Sequence, residues 1–119
     1  MTTWRIAATL IAALALAGPA GAQEERKYCE GFCSCELLWV ERNEYYFEAD
    51  YCFRSKLGAA VFNPVREALD FPCTTDAPSF PADIQRRVDR IREMERAHNC
   101  AAERENWNPL DLRAIFAAG

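Results

Sequence analysis

Six cysteines carry the plainest chemistry in the chain: Cys29, Cys33, Cys35, Cys52, Cys73 and Cys100. An even number of thiols in an oxidising compartment reads as a framework of up to three disulfides. The crowded run Cys29-x3-Cys33-x-Cys35 offers an alternative, a metal-handling thiolate cluster. A tetrahedral site, however, usually repeats Cys-x2-Cys or histidine spacings, and His98 is the only histidine. Disulfides are therefore expected, with no metal and no cofactor. Six cysteines allow about 15 pairings. The expected set is Cys52 with Cys73, Cys35 with Cys100, and Cys29 with Cys33 closing a small N-terminal loop.

The other reactive side chains are sparse. His98 follows Glu95 by three residues, and a carboxylate at that helical spacing can orient an imidazole for acid–base work. One histidine is not a catalytic set, and Ser34, Ser55 and Ser79 lie in no nucleophile motif, so no catalytic residue is assigned. Arg42 and Asn43 are a more informative pair, because both fall beside the apolar stripe of a helix. A buried arginine requires a partner, and Glu95, Asp50 or carbonyls at a helix end are the candidates. Around them run Trp39, Tyr45, Tyr46, Phe47, Tyr51 and Phe53, more aromatic surface than one helix face can bury. Tyr and Trp left at a rim stack on sugars or anchor protein interfaces. The candidate binding residues are therefore Trp39, Arg42, Asn43, Tyr45, Tyr46 and Phe47. Glu41, Glu44 and Glu48 recur at helical spacing on the other side and are expected to form a solvated face.

The address comes from the first residues. Met1 to Arg5 is a short charged lead, Ile6 to Ala17 is apolar apart from Thr9, and Ala20-Gly21-Ala22 supplies small residues for a signal peptidase. Residues 1–22 are thus expected to be a signal peptide cleaved after Ala22. The apolar run is too short to span a bilayer, which takes roughly 20 residues, so the mature chain is expected to be periplasmic or secreted without membrane insertion. The full chain has a net charge of −4. Cleavage removes one base, Arg5, and no acid. A nucleic-acid footprint needs a clustered excess of Lys and Arg, which the alternating acids and bases do not supply, so nucleic acid is not an expected partner.

The remaining residues must position these groups, and their patterning is helical. Residues 23–34 form a polar lead with two of the cysteines. From Glu36 to Ala49, Leu38, Arg42, Tyr45, Tyr46 and Ala49 share a side at helical spacing, and the helix stops near Asp50. Ser55 is positioned to cap a second helix with Leu57, Ala60 and Val61 as its stripe, ended at Asn63-Pro64 because a residue before proline is pushed out of the helical region. Val65 to Leu69 adds a further turn. Residues 70–81, with Pro72, Pro78 and Pro81, form a connector pinned by Cys73. Ala82 to Asn99 predicts the third helix, with Ile84, Val88, Ile91, Met94 or Glu95, and Ala97 inward. Asn108 and Pro109 open a last short helix, docked by Leu110, Ala114 and Ala117 with Leu112 and Phe116. The fold class is all-α, a small three- to four-helix disulfide-stabilised domain.

Leu38-Trp39-x-x-Arg42-Asn43, Tyr46, Tyr51-Cys52-Phe53, Phe62-Asn63, Cys73 and the helix end from Glu95 to Cys100 together resemble the YARHG domain family. These are small extracytoplasmic bacterial domains, and the cysteine-bearing form is the nearer likeness. The resemblance covers residues 35–100 and leaves 101–119 as a C-terminal tail with a short helix. It implies an all-helical domain outside the cytoplasm associated with the cell wall. The naming stretch reads Tyr46-Phe47-Glu48-Ala49-Asp50 here, with Glu48 and Ala49 in place of the Arg-His pair and Asp50 where the family has a glycine. The expected function is a noncatalytic secreted or periplasmic module binding a cell-wall component such as peptidoglycan, or an envelope protein. The alternatives are a small extracytoplasmic enzyme or enzyme inhibitor, and a metal-handling cysteine domain.

Overall fold

The computed structural model describes residues 34–118. The expected signal peptide, the lead as far as Cys33 and the Cys29–Cys33 pair lie outside the described residues. Within them the protein is all-helical, as the patterning predicts: α1 (Cys35–Glu48), α2 (Lys56–Leu69), α3 (Ala82–Ala97), a 3-10 helix (Cys100–Asn106) and α4 (Pro109–Ala118). No described residue forms a strand; one isolated bridge joins Tyr51 and Thr75. No described helix is long and apolar enough to cross a membrane.

Local chemistry sets the ends. Ser34 accepts from the Leu37 amide at 3.2 Å, Ser55 from the Gly58 amide at 3.0 Å, and Asn108 from the Leu110 amide at 2.9 Å. Each satisfies one of the amides that a helix start leaves without an intrahelical partner. At the other ends, Asp50, Asp70 and Asn99 take positive φ of 63°, 49° and 52°, a region costly to most residues but open to Asp and Asn. After α1 the Tyr51 amide returns to the Tyr46 carbonyl and the Asp50 amide to that of Phe47, both at 3.1 Å, while the Tyr46 and Tyr51 rings meet edge-on at 5.2 Å. That double return with its apolar contact is a Schellman exit, so Asp50 fills the role a glycine usually takes.

α1 is the central element, packed against α3 on one side and α4 on the other. Trp39, Val40 and Phe47 from α1 join Phe53, Val61, Phe62 and Leu112 in one cluster, while Leu38, Ile91, Cys35 and Cys100 form a second. Phe62 is the hub of the first, stacked on Phe53 at 4.5 Å and meeting Trp39, Phe47 and Phe116 within 5.9 Å. Cys35–Cys100 ties the start of α1 to the start of the 3-10 helix, and Cys52–Cys73 ties the α1 exit to the connector, matching two expected pairs. The Cys52 amide also donates to the Thr75 carbonyl at 2.7 Å and the Thr74 amide to that of Asp50 at 2.8 Å, so the connector lies back along the α1–α2 turn.

Four expectations need correction. α2 does not end at Asn63 but runs through Pro64 to Leu69. Proline lacks the amide that the Ala60 carbonyl would normally receive, and Arg113 of α4 supplies the missing donor, Nη2 to that carbonyl at 2.6 Å and Nε to the Val61 carbonyl at 3.3 Å. Glu41 and Glu44 are not on a solvated face; they are 5% and 8% exposed, because a helix at the centre of the domain has little wet surface. α3 buries Val88, Ile91 and Glu95, but Ala97 is exposed, since the helix ends as it leaves the core. α4 docks through Leu112, with Ile115 and Phe116 partly buried, while Leu110, Ala114 and Ala117 face outward.

Candidate functional site

The six candidate residues of α1 divide sharply once the helix is packed. Trp39 lies in the core against Phe62 and edge-on to Trp107, and Phe47 lies among Phe62, Phe71 and Phe116. Asn43 is buried and donates its side-chain amide to the Trp39 carbonyl one turn back, at 2.9 Å. These three hold the helix in place and offer almost no surface. Arg42, Tyr45 and Tyr46 remain partly exposed.

Tyr45 and Tyr46 stand at a junction of α1, the connector and α3. Tyr45 lines an open cleft of about 280 Å³ with Phe80, Pro81 and Ile84. Tyr46 meets Phe80 edge-on at 5.2 Å, and its hydroxyl accepts from Arg92, whose guanidinium also sits 5.7 Å from the ring centroid. The result is an amphipathic ledge of two tyrosines and a phenylalanine, with apolar faces backed by the fold and polar tips near solvent. Phe80 is the member not anticipated from sequence. It sits in a proline-rich connector, and only the return of that connector onto α1 brings it to Tyr46.

Arg42 reaches the opposite end of α3. Its Nε donates to Glu95 Oε1 at 2.6 Å and its Nη2 to Oε2 at 3.2 Å, a bidentate pair. Arg104 of the 3-10 helix donates to the same Oε2 at 3.0 Å. Glu95 was one of the partners expected for Arg42, whereas Arg104 carried no signal in the sequence. His98 caps α3, exposed. Both oxygens of Glu95 are engaged by arginines, so the carboxylate is committed to an ion pair and does not form the imidazole-orienting contact weighed from the spacing.

Arg66 is a second residue missed at the sequence level. Only 5% exposed, it donates to the carbonyls of Phe47 and Tyr51 at 3.0 Å and of Phe71 at 3.3 Å. Its guanidinium lies over the rings of Phe47 and Phe71. Burial pulls this guanidinium below its ordinary pKa, and the charge of Asp50 opposes that shift. Its work is to tie together the exits of α1 and α2.

Among the described residues no three His, Cys, Asp or Glu side chains come together as metal ligands, and the described cysteines are all in disulfides. Cys35, one of the three thiols of the metal alternative, is bonded to Cys100. Compared with family models, curated proteins and solved structures, the chain finds no match.

Proposed function

We propose that the chain is a noncatalytic module of the bacterial cell envelope, periplasmic or secreted, that binds a wall component or an envelope protein through the ledge of Tyr45, Tyr46 and Phe80. The observation that carries this reading is the division of the aromatic series: Trp39, Phe47 and Phe53 are spent on the core, while Tyr45 lines an open cleft and Tyr46, partly exposed, stands beside it against Phe80. Partly exposed tyrosines held from behind lose little side-chain entropy on binding, and they offer both a stacking face and a hydroxyl. Two disulfides favour an oxidising compartment, and the resemblance to the YARHG family favours the wall.

Peptidoglycan sedimentation tests it. The oxidised mature protein should pellet with purified peptidoglycan, and Tyr45→Ala should stay in the supernatant while still unfolding cooperatively from a helical native state. Equal pelleting of both proteins would exclude the ledge as the wall contact. If neither pellets, in-cell crosslinking must recover an envelope protein attached to wild type and lost in Tyr45→Ala, or the reading fails.

A further inference from the structure

The richest unassigned site lies at the far end of α3. There Arg42 of α1, Arg92 and Arg96 of α3, Arg104 of the 3-10 helix and Asn99 line an open cleft of about 420 Å³. Glu95 is the single acid among the described residues lining it. This concentration of guanidinium groups occurs in a chain whose net charge is −4, so it is a local feature and not a reflection of composition.

Charge is not balanced within the cleft. Glu95 engages both Arg42 and Arg104, and one carboxylate neutralises only one of them. Arg92 and Arg96, one helical turn apart, add two like charges at a spacing that ordinarily disfavours a helix. The Arg96 side chain makes no hydrogen bond or ion pair among the described residues, and the Nε of Arg104 is buried without a hydrogen-bond partner. The surroundings are rigid: Cys100 lines the cleft and is bonded to Cys35. The left-handed turn at Asn99, φ 52°, swings the 3-10 helix back so that Arg104 reaches Glu95. Guanidinium forks match the paired oxygens of carboxylates and phosphates, and Glu95 fixes two of them, Arg42 and Arg104, beforehand, which lowers the cost of binding.

We propose that this cleft is an oxyanion-binding site, taking a carboxylate or phosphate group of a ligand, with Arg96 and Arg104 as the principal donors, Arg92 adding charge and Glu95 holding Arg42 and Arg104 in register. The cleft is open on one side, so the anion can be the terminal group of a larger molecule. The site goes beyond the tyrosine ledge and does not depend on it: failure of peptidoglycan binding leaves it standing.

The test is a titration of the full oxidised chain with inorganic phosphate and, separately, citrate at constant ionic strength, following the arginine Nε–Hε resonances by NMR. Binding should shift the Arg104 and Arg96 signals saturably. Arg96→Gln should weaken binding about tenfold or more with no change in the unfolding midpoint, because Arg96 is exposed and supports no fold contact. Response to citrate alone identifies a carboxylate site, to phosphate alone a phosphoryl site, and to both a general oxyanion site. No saturable shift with either anion, or equal affinity in Arg96→Gln, overturns the proposal.

Discussion

Arg66 shows what a single buried charge does in a domain this small. Three backbone carbonyls from two helix exits converge on its guanidinium, and replacing it leaves those carbonyls without their donor and removes the charge that faces Asp50. Arg66→Met should therefore destabilise the protein by about 3 kcal/mol, read as a fall in the urea midpoint with an unchanged slope. The left-handed positions make an opposite prediction. Asp70 sits exposed at φ 49° and its side chain makes no hydrogen bond or ion pair among the described residues, so Asp70→Gly should stabilise by about 0.5 kcal/mol, the relief of αL strain less the added chain entropy. Residue-level features were legible where the partner is local. Ser55 and Asn108 announce themselves as caps because the amides they meet lie two or three positions on, and the aromatic turn after Asp50 marks the helix exit that the structure shows there. Arg66 was not legible, because what buries it is an arrangement of helices rather than any neighbouring residue.

At the scale of elements, α2 illustrates a local rule overridden by a contact from elsewhere. Proline at position 64 argues for a helix end, yet the carbonyl it frees is the one that Arg113 uses to fasten α4. The two residues should be coupled. Arg113→Ala should cost about 1.5 kcal/mol in the native background and at least about 0.5 kcal/mol less after Pro64→Ala restores the helical donor; equal costs would show that the proline and the arginine act separately. The start of α2 is tight as well. A Cβ on Gly58 would lie 2.8 Å from the capping Ser55 hydroxyl and 2.9 Å from the Phe53 ring, so Gly58→Ala should destabilise by about 1–3 kcal/mol despite alanine's better helix propensity, as thermal unfolding can check. The long third helix was read closely from its period, because sixteen residues hold enough turns to define a face. α4, with ten, does not, and its inward side is set by Leu112 joining the first core cluster and Phe116 meeting Phe47 and Phe62 rather than by its own pattern. Glu48 is exposed as its spacing predicts, whereas Glu41 and Glu44 are buried, because helical spacing shows which residues share a face, not whether a neighbouring element covers it.

Over the described residues, two cross-links hold the helices, Cys35–Cys100 within the second core cluster and Cys52–Cys73 at the turn after α1. The disulfides span 65 and 21 residues, and closing loops of that length in the unfolded chain stabilises the fold by about 4 and about 3 kcal/mol. Those contributions rival the entire margin of a small domain, so the fold depends on the oxidised state of these four cysteines. The ledge and the arginine cleft depend on it too, since Cys52–Cys73 secures the turn beside Tyr46 and Cys35–Cys100 lines the cleft. The most direct measurement is non-reducing peptide mapping by mass spectrometry of the protein isolated from its native host. The account predicts an N-terminus at Gln23 with Cys35 linked to Cys100 and Cys52 to Cys73. A product retaining Met1, with those four cysteines recovered as free thiols, would contradict it.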